Sequence, residues 1–134
     1  MNRRDVLATG AACLTTTAAA PLSALAQARY PERPIRLVVP FAPGGATDVA
    51  GRLWADKIKP LIGTVIVENR ASGGGAPGTN EVARAAADGY TFLFGNTSTQ
   101  VLVPALMNRP LYDPIKDFVG IYILCLAPNS IVVH

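Results

Sequence analysis

The chain reads as an α/β domain with a mainly parallel sheet. Two observations predict this class. Short β-branched runs at 35–39, 64–67 and 91–94 alternate with helical periodicity at 47–59 and 79–87. Each run also ends in a glycine-rich or polar loop that leads into the next helix.

Ile35 to Val39 is continuously apolar and is expected to be a strand buried on both faces. The helix from Thr47 to Lys59 gathers Val49, Leu53 and Ile58, with Ala50 and Trp54, on an apolar side. Thr47 is its candidate N-cap, Asp48 suits the positive end of its dipole, and Pro60 and Gly63 are its expected stop. A second strand of the same apolar type follows at Thr64 to Val67, then a turn-rich loop over 68–78. Thr79 to Ala87 forms a helix with a small-residue face of Val82, Ala83, Ala85 and Ala86, and Asp88-Gly89 turns out of it. After the strand Thr91–Phe94 and the loop Gly95–Gln100, a short helix is expected over 101–107. Tyr112 to Phe118 is a connector with Asp-Pro turn chemistry, and 119–126 and 131–133 are further strands. The order is β-α-β-α-β-α-β-β.

In such sheets ligands sit outside the carboxyl ends of the strands. Three loops occupy those ends, Ala42–Asp48, Asn69–Thr79 and Gly95–Gln100, and their convergence predicts one site. The first is the most informative. Pro43, Gly44, Gly45, Ala46, Thr47 and Asp48 run from a strand into the first turn of a helix. A helix start has unsatisfied N–H donors and partial positive charge, which suits a carboxylate or phosphate. Glycine lets such a group approach the backbone closely. Asn96, Thr97, Ser98 and Thr99 add four short hydrogen-bonding side chains, fit for carboxylate contact or for loop and cap chemistry. Asp48 is either a helix-start charge or a group that orders waters or accepts from a ligand amine or hydroxyl. Arg70 is a candidate steering charge or a solvated one, and Trp54 is expected in the core rather than as a stacking platform.

Other chemistries find little support. His134 is the one histidine, no Gly-x-Ser-x-Gly elbow occurs, and Cys and His show no metal spacing. Glu32, Glu68 and Glu81 form no acid/base pattern, so no enzyme activity, catalytic residue, metal or cofactor is expected. A formal net charge of +3 without a basic run is no nucleic-acid footprint. Gly73-x-Gly75-x-x-Gly78 matches the dinucleotide-binding pattern. However, five residues separate it from the strand, Pro77 removes an N–H, and no acidic residue follows about 20 positions later to hold a ribose. A flexible glycine-rich rim to a cleft is the better reading. Cys125, in an apolar run, is expected to be a small buried core residue.

Residues 1–28 read as an export signal: Arg3-Arg4, an uncharged stretch to Ala26, and the small-residue close Ala26-Gln27-Ala28, with cleavage after Ala28. The Arg pair fits either a twin-arginine or an ordinary secretory signal. Gly10, the Thr15–Thr17 run and Pro21 make a weak membrane span, so no stable membrane insertion is expected after processing.

Several motifs together resemble one family. Tyr30-Pro31-x-Arg33-Pro34-Ile35, Val39-Pro40-Phe41-Ala42-Pro43-Gly44-Gly45-x-x-Asp48 and Val67-Glu68-Asn69-Arg70 are similar to motifs of the Bug family. So are Ala87-Asp88-Gly89-Tyr90-Thr91 and Tyr112-Asp113-Pro114-x-Lys116-Asp117-Phe118. These are the extracytoplasmic solute receptors of tripartite tricarboxylate transporters. The resemblance implies a periplasmic-binding-protein-like fold with two α/β lobes, crossover strands and closure on ligand. It implies a periplasmic receptor that captures a small organic carboxylate, through Pro43–Asp48 and Asn96–Thr99, for the membrane subunits of a transporter. Residues 29–118 would then be the N-terminal part of the first lobe and 119–134 strands crossing toward a second lobe, with most of that lobe absent from a truncated chain. The competing expectations are a Rossmann-like nucleotide-dependent enzyme and a non-functional truncated remnant.

Overall fold

The computed structural model describes Tyr30 to Leu126. The export signal and the strand expected at 131–133 lie outside the described residues. Three parallel strands form the sheet: β1 (Ile35–Val39), β2 (Val65–Asn69) and β3 (Thr91–Leu93), in the order β2-β1-β3. In register, Val39 stands opposite Asn69 and Val38 opposite Leu93, so the carboxyl ends of all three strands meet at one edge.

β1 is the centre of the core. Ile35, Leu37, Val38 and Val39 are all buried, because helices cover both faces of the strand. β2 is only half-buried: it is an edge strand rather than a second central one.

Helix α1 (Ala46–Ile62) lies on the Leu37/Val39 face. Its buried positions are Asp48, Gly51 and Ala55, not the expected Val49 and Leu53, which are exposed. The reason is close approach. A Cβ on Gly51 would stand 3.3 Å from Val39 Cγ2 and 3.6 Å from Leu37 Cδ2. Small residues thus define the contact stripe, and the larger apolar side chains flank it. Nor does Pro60 end the helix. It lies inside the helix, two residues before the helix end, and the chain turns out at Gly63, whose φ is +78°.

Helix α2 (Ala76–Ala83) covers the opposite face, starting three residues earlier and ending earlier than expected, with Pro77 in its first turn. Ala76, Gly78 and Thr79 are its buried residues, in place of the expected Ala-rich face further along. Beyond β3, a wide helical turn (Ser98–Leu102) runs into α3 (Val103–Leu106), so helical structure begins inside the expected polar loop. Tyr112 is buried against this turn and donates its hydroxyl proton to the Thr99 carbonyl.

Val119–Leu126 forms no strand, and its large apolar residues are exposed. Cys125 is exposed too, against expectation. An apolar run becomes a strand only when a sheet edge pairs with it, and no described strand pairs with this one.

Candidate functional site

The three loops do converge at the carboxyl edge of the sheet, but their groups are used differently from what sequence suggests. In the first loop Pro43, Gly44, Gly45 and Ala46 are exposed, Thr47 is half-buried and Asp48 is buried. Gly44 has a φ of +81°, a left-handed conformation that favours glycine. Gly45, not Thr47, occupies the N-cap position of α1, and no side chain caps from there. Asp48, in the first helical turn, instead folds its carboxylate back onto the loop. Its Oδ2 accepts from the Gly44 N–H at 2.8 Å and from Arg52 Nε at 3.0 Å. Its Oδ1 accepts from Asn69 Nδ2 at 2.9 Å.

The Arg52 guanidinium, then the Gly44 and Asn69 donors, hold the Asp48 carboxyl down to about 2 from an ordinary 3.8. It is an ionised anchor with its acceptors filled, rather than a group free to receive a ligand. The N–H groups of Gly45, Ala46 and Thr47 donate to no protein group among the described residues. They are the donors this loop leaves open.

Asn69 sits at the end of β2 and reaches back into the first loop. Its Nδ2 also donates to the Phe41 carbonyl at 3.1 Å, and its Oδ1 accepts from Arg52 at 3.0 Å. Sequence reasoning missed both partners. The i,i+4 spacing of Asp48 and Arg52 was an available signal. Nothing local connects Asn69 to a loop 21 residues upstream.

Two elements of the glycine-rich segment join the second loop to the third. Ser98 Oγ donates to the Gly74 carbonyl at 3.4 Å. Gly75 has a φ of +90°, and a Cβ there would fall 2.7 Å from Thr99 Cγ2 and 3.2 Å from the Pro40 carbonyl oxygen. A Cβ on Gly78 would stand 2.8 Å from Arg70 Cβ. These glycines are packing positions at the base of α2. The expected flexible rim is therefore corrected, and the resemblance to a nucleotide loop reflects helix-on-strand contact.

In the third loop Asn96 and Thr99 bond to each other. The Asn96 N–H donates to Thr99 Oγ1 at 3.0 Å, and the Thr99 N–H donates to Asn96 Oδ1 at 3.3 Å. This reciprocal box caps the following helical turn. Thr99 is fully buried, so of the four polar residues Thr97 and Ser98 keep the most accessible hydroxyls.

Arg70 is not a free steering charge. It donates to Glu81 Oε2 and to Glu68 Oε2, each at 2.9 Å. Arg36, on β1, completes the square with bonds to both carboxylates. Arg36 hydrogen bonds lower the pKa of Glu68 and of Glu81, so these acids stay ionised and paired. An open groove of about 340 Å³ lies beside them, between Asn69–Ser72 and Pro77–Glu81, and includes no residue of 43–48 or 96–99. Among the described residues, no cluster of His, Cys, Asp and Glu could hold a metal ion.

A model described as "Tripartite tricarboxylate transporter family receptor" matches residues 49–134. Protein BugT of Bordetella pertussis is 39% identical over all of this chain, which covers 41% of BugT. The chain belongs to the tripartite tricarboxylate transporter receptor family. Two solved structures of similar proteins agree. The periplasmic binding protein BugD is 43% identical, with a TM-score of 0.60 over 66% of this chain and 30% of BugD. MatC from Rhodopseudomonas palustris, solved with bound malate, is 38% identical, with a TM-score of 0.64 over 66% of this chain and 31% of MatC. The α/β class with its parallel sheet is therefore that of periplasmic binding proteins, and the chain spans well under half the length of these family members.

Proposed function

We propose that this chain is the N-terminal part of a periplasmic receptor that captures a small organic carboxylate for a tripartite tricarboxylate transporter. The observation that carries the reading is the loop after β1, whose Gly45, Ala46 and Thr47 N–H groups have no acceptor among the described residues at the start of α1. Such donors at a helix start favour an anion, and the neighbouring Asp48 charge is offset by Arg52. Membership of a receptor family and the malate held by MatC support a carboxylate as the anion. Thr97 and Ser98 are the side chains best able to contribute beside these amides, while Pro43 and Gly44 shape the approach. Asp48, Asn96 and Thr99 act by fixing the loops. The role is binding and delivery rather than catalysis, and the membrane subunits of the transporter are the receiving partner. Export of residues 29–134 through a cleaved N-terminal signal follows from the same reading.

Thermal denaturation of the chain, titrated with malate and, separately, with NAD, tests this. A midpoint that rises with malate and not with NAD is the expected result. A rise with NAD alone would overturn the receptor reading in favour of a nucleotide-dependent enzyme. No response to malate or to other di- and tricarboxylates would overturn carboxylate capture by this chain.

A further inference from the structure

The loop Ala42–Thr47 has little regular structure of its own, yet it is tied down at three points. At its base, the Phe41 carbonyl accepts from Asn69 Nδ2. At its crest, the Gly44 N–H donates to Asp48 Oδ2. At its exit, Gly45 starts α1 through the bond from the Val49 N–H to its carbonyl. Two of these ties depend on one side-chain knot, in which Asn69 at the end of β2 and Arg52 one turn along α1 grip the Asp48 carboxylate from two sides.

We propose that Asn69 and Arg52, acting through Asp48, are positioning residues that set the loop after β1 in its anion-receiving shape before any ligand arrives. The proposal rests on the reading that this loop receives a carboxylate.

Asn69 is the only side chain described that bonds both to the start of the loop and to the helix that ends it. Its amide can satisfy both because β2 is paired with β1 in a register that sets Asn69 beside Val39, the last residue of β1. Arg52 acts on charge. It neutralises Asp48, so that an arriving anion meets open N–H groups instead of an uncompensated carboxylate. A loop ordered in advance loses less conformational entropy on binding.

The test uses the ¹⁵N-labelled 134-residue chain as wild type, Asn69→Asp and Arg52→Gln. Arg52 is half-exposed, so its replacement leaves the core untouched and decides the matter if Asn69→Asp fails to fold. Amide exchange is followed at Gly44–Thr47 and at Leu37–Val39, and malate is titrated into each protein. Exchange at the Gly44 amide should quicken about tenfold in both variants while β1 amides hold their rates. Malate affinity should fall about tenfold with the melting midpoint little changed. Unaltered exchange at Gly44 in Arg52→Gln would overturn the proposal, as would a uniform rise across β1 and the loop. Absence of any malate response in the wild type would instead remove the functional reading, and the exchange results would still judge the knot.

Discussion

The loops after β1 and β3 begin with similar credentials and use their polar groups in opposite ways. Both follow a parallel strand, both are rich in small residues, and both lead into a helix. In the first, side chains are spent on holding the loop, and backbone N–H groups at Gly45–Thr47 are left over. In the third, Asn96 and Thr99 cap each other, and what remains is the Thr97 and Ser98 hydroxyls. A polar residue at a strand end is thus a candidate ligand contact only after its neighbours' demands have been subtracted. Helix termini make those demands first, since their orphan donors and acceptors lie nearest.

The largest test of this contrast lies at Gly75, where the two halves of the edge touch. Gly75→Ala would combine a φ of +90° with a 2.7 Å approach to Thr99. Strain and overpacking together should cost about 3 kcal/mol, read as a lower urea midpoint. A neutral result would show that the second and third loops are not packed as described.

Thr99→Val comes next. It keeps the shape and deletes the hydroxyl that bonds Asn96, and should cost about 1–2 kcal/mol in the same measurement. Thr97→Ala, two residues earlier and exposed, should leave stability unchanged while weakening malate binding. If Thr97→Ala instead destabilises and Thr99→Val does not, the division between capping and accessible hydroxyls is wrong.

A paired substitution sharpens the first loop. Gly44→Ala meets no atom within 4 Å but needs a φ of +81°, and should cost about 1 kcal/mol from backbone strain alone. Gly45→Ala, at a φ of −74° and 3.5 Å from the Ala42 carbonyl oxygen, should change stability by about 0.5 kcal/mol or less. Equal effects at both positions would remove the left-handed turn as the cause.

The smallest effect expected is on pH dependence. Glu68 and Glu81 have folded pKa values below the ordinary 4.5, chiefly through Arg36. Their pairing therefore stabilises the fold above that value, and the contribution is lost as pH falls through it and below. Asp48 behaves in the same direction, losing its contribution between about 4 and 2. Melting midpoints of the wild type should fall from pH 6 to pH 3 more steeply than those of Arg36→Gln. Because these ion pairs are partly exposed, the difference should be modest and shrink with salt.

The alternation of strands and helices, the burial of β1, the meeting of three loops at one sheet edge, and the family were all legible in the residues alone. Those features rest on local signals: β-branched runs, helical spacing, glycine and proline punctuation, and motifs in order. Tertiary structure alone decided which atoms remain available. Asp48 is buried because Asn69 arrives from β2, and Val49 and Leu53 are exposed because Gly51 brings α1 close to the sheet. Gly75 and Gly78 are packing sites because Thr99, Pro40 and Arg70 lie against them. Val119–Leu126 has strand-forming residues and no strand, because pairing is a property of two segments and the local sequence describes one.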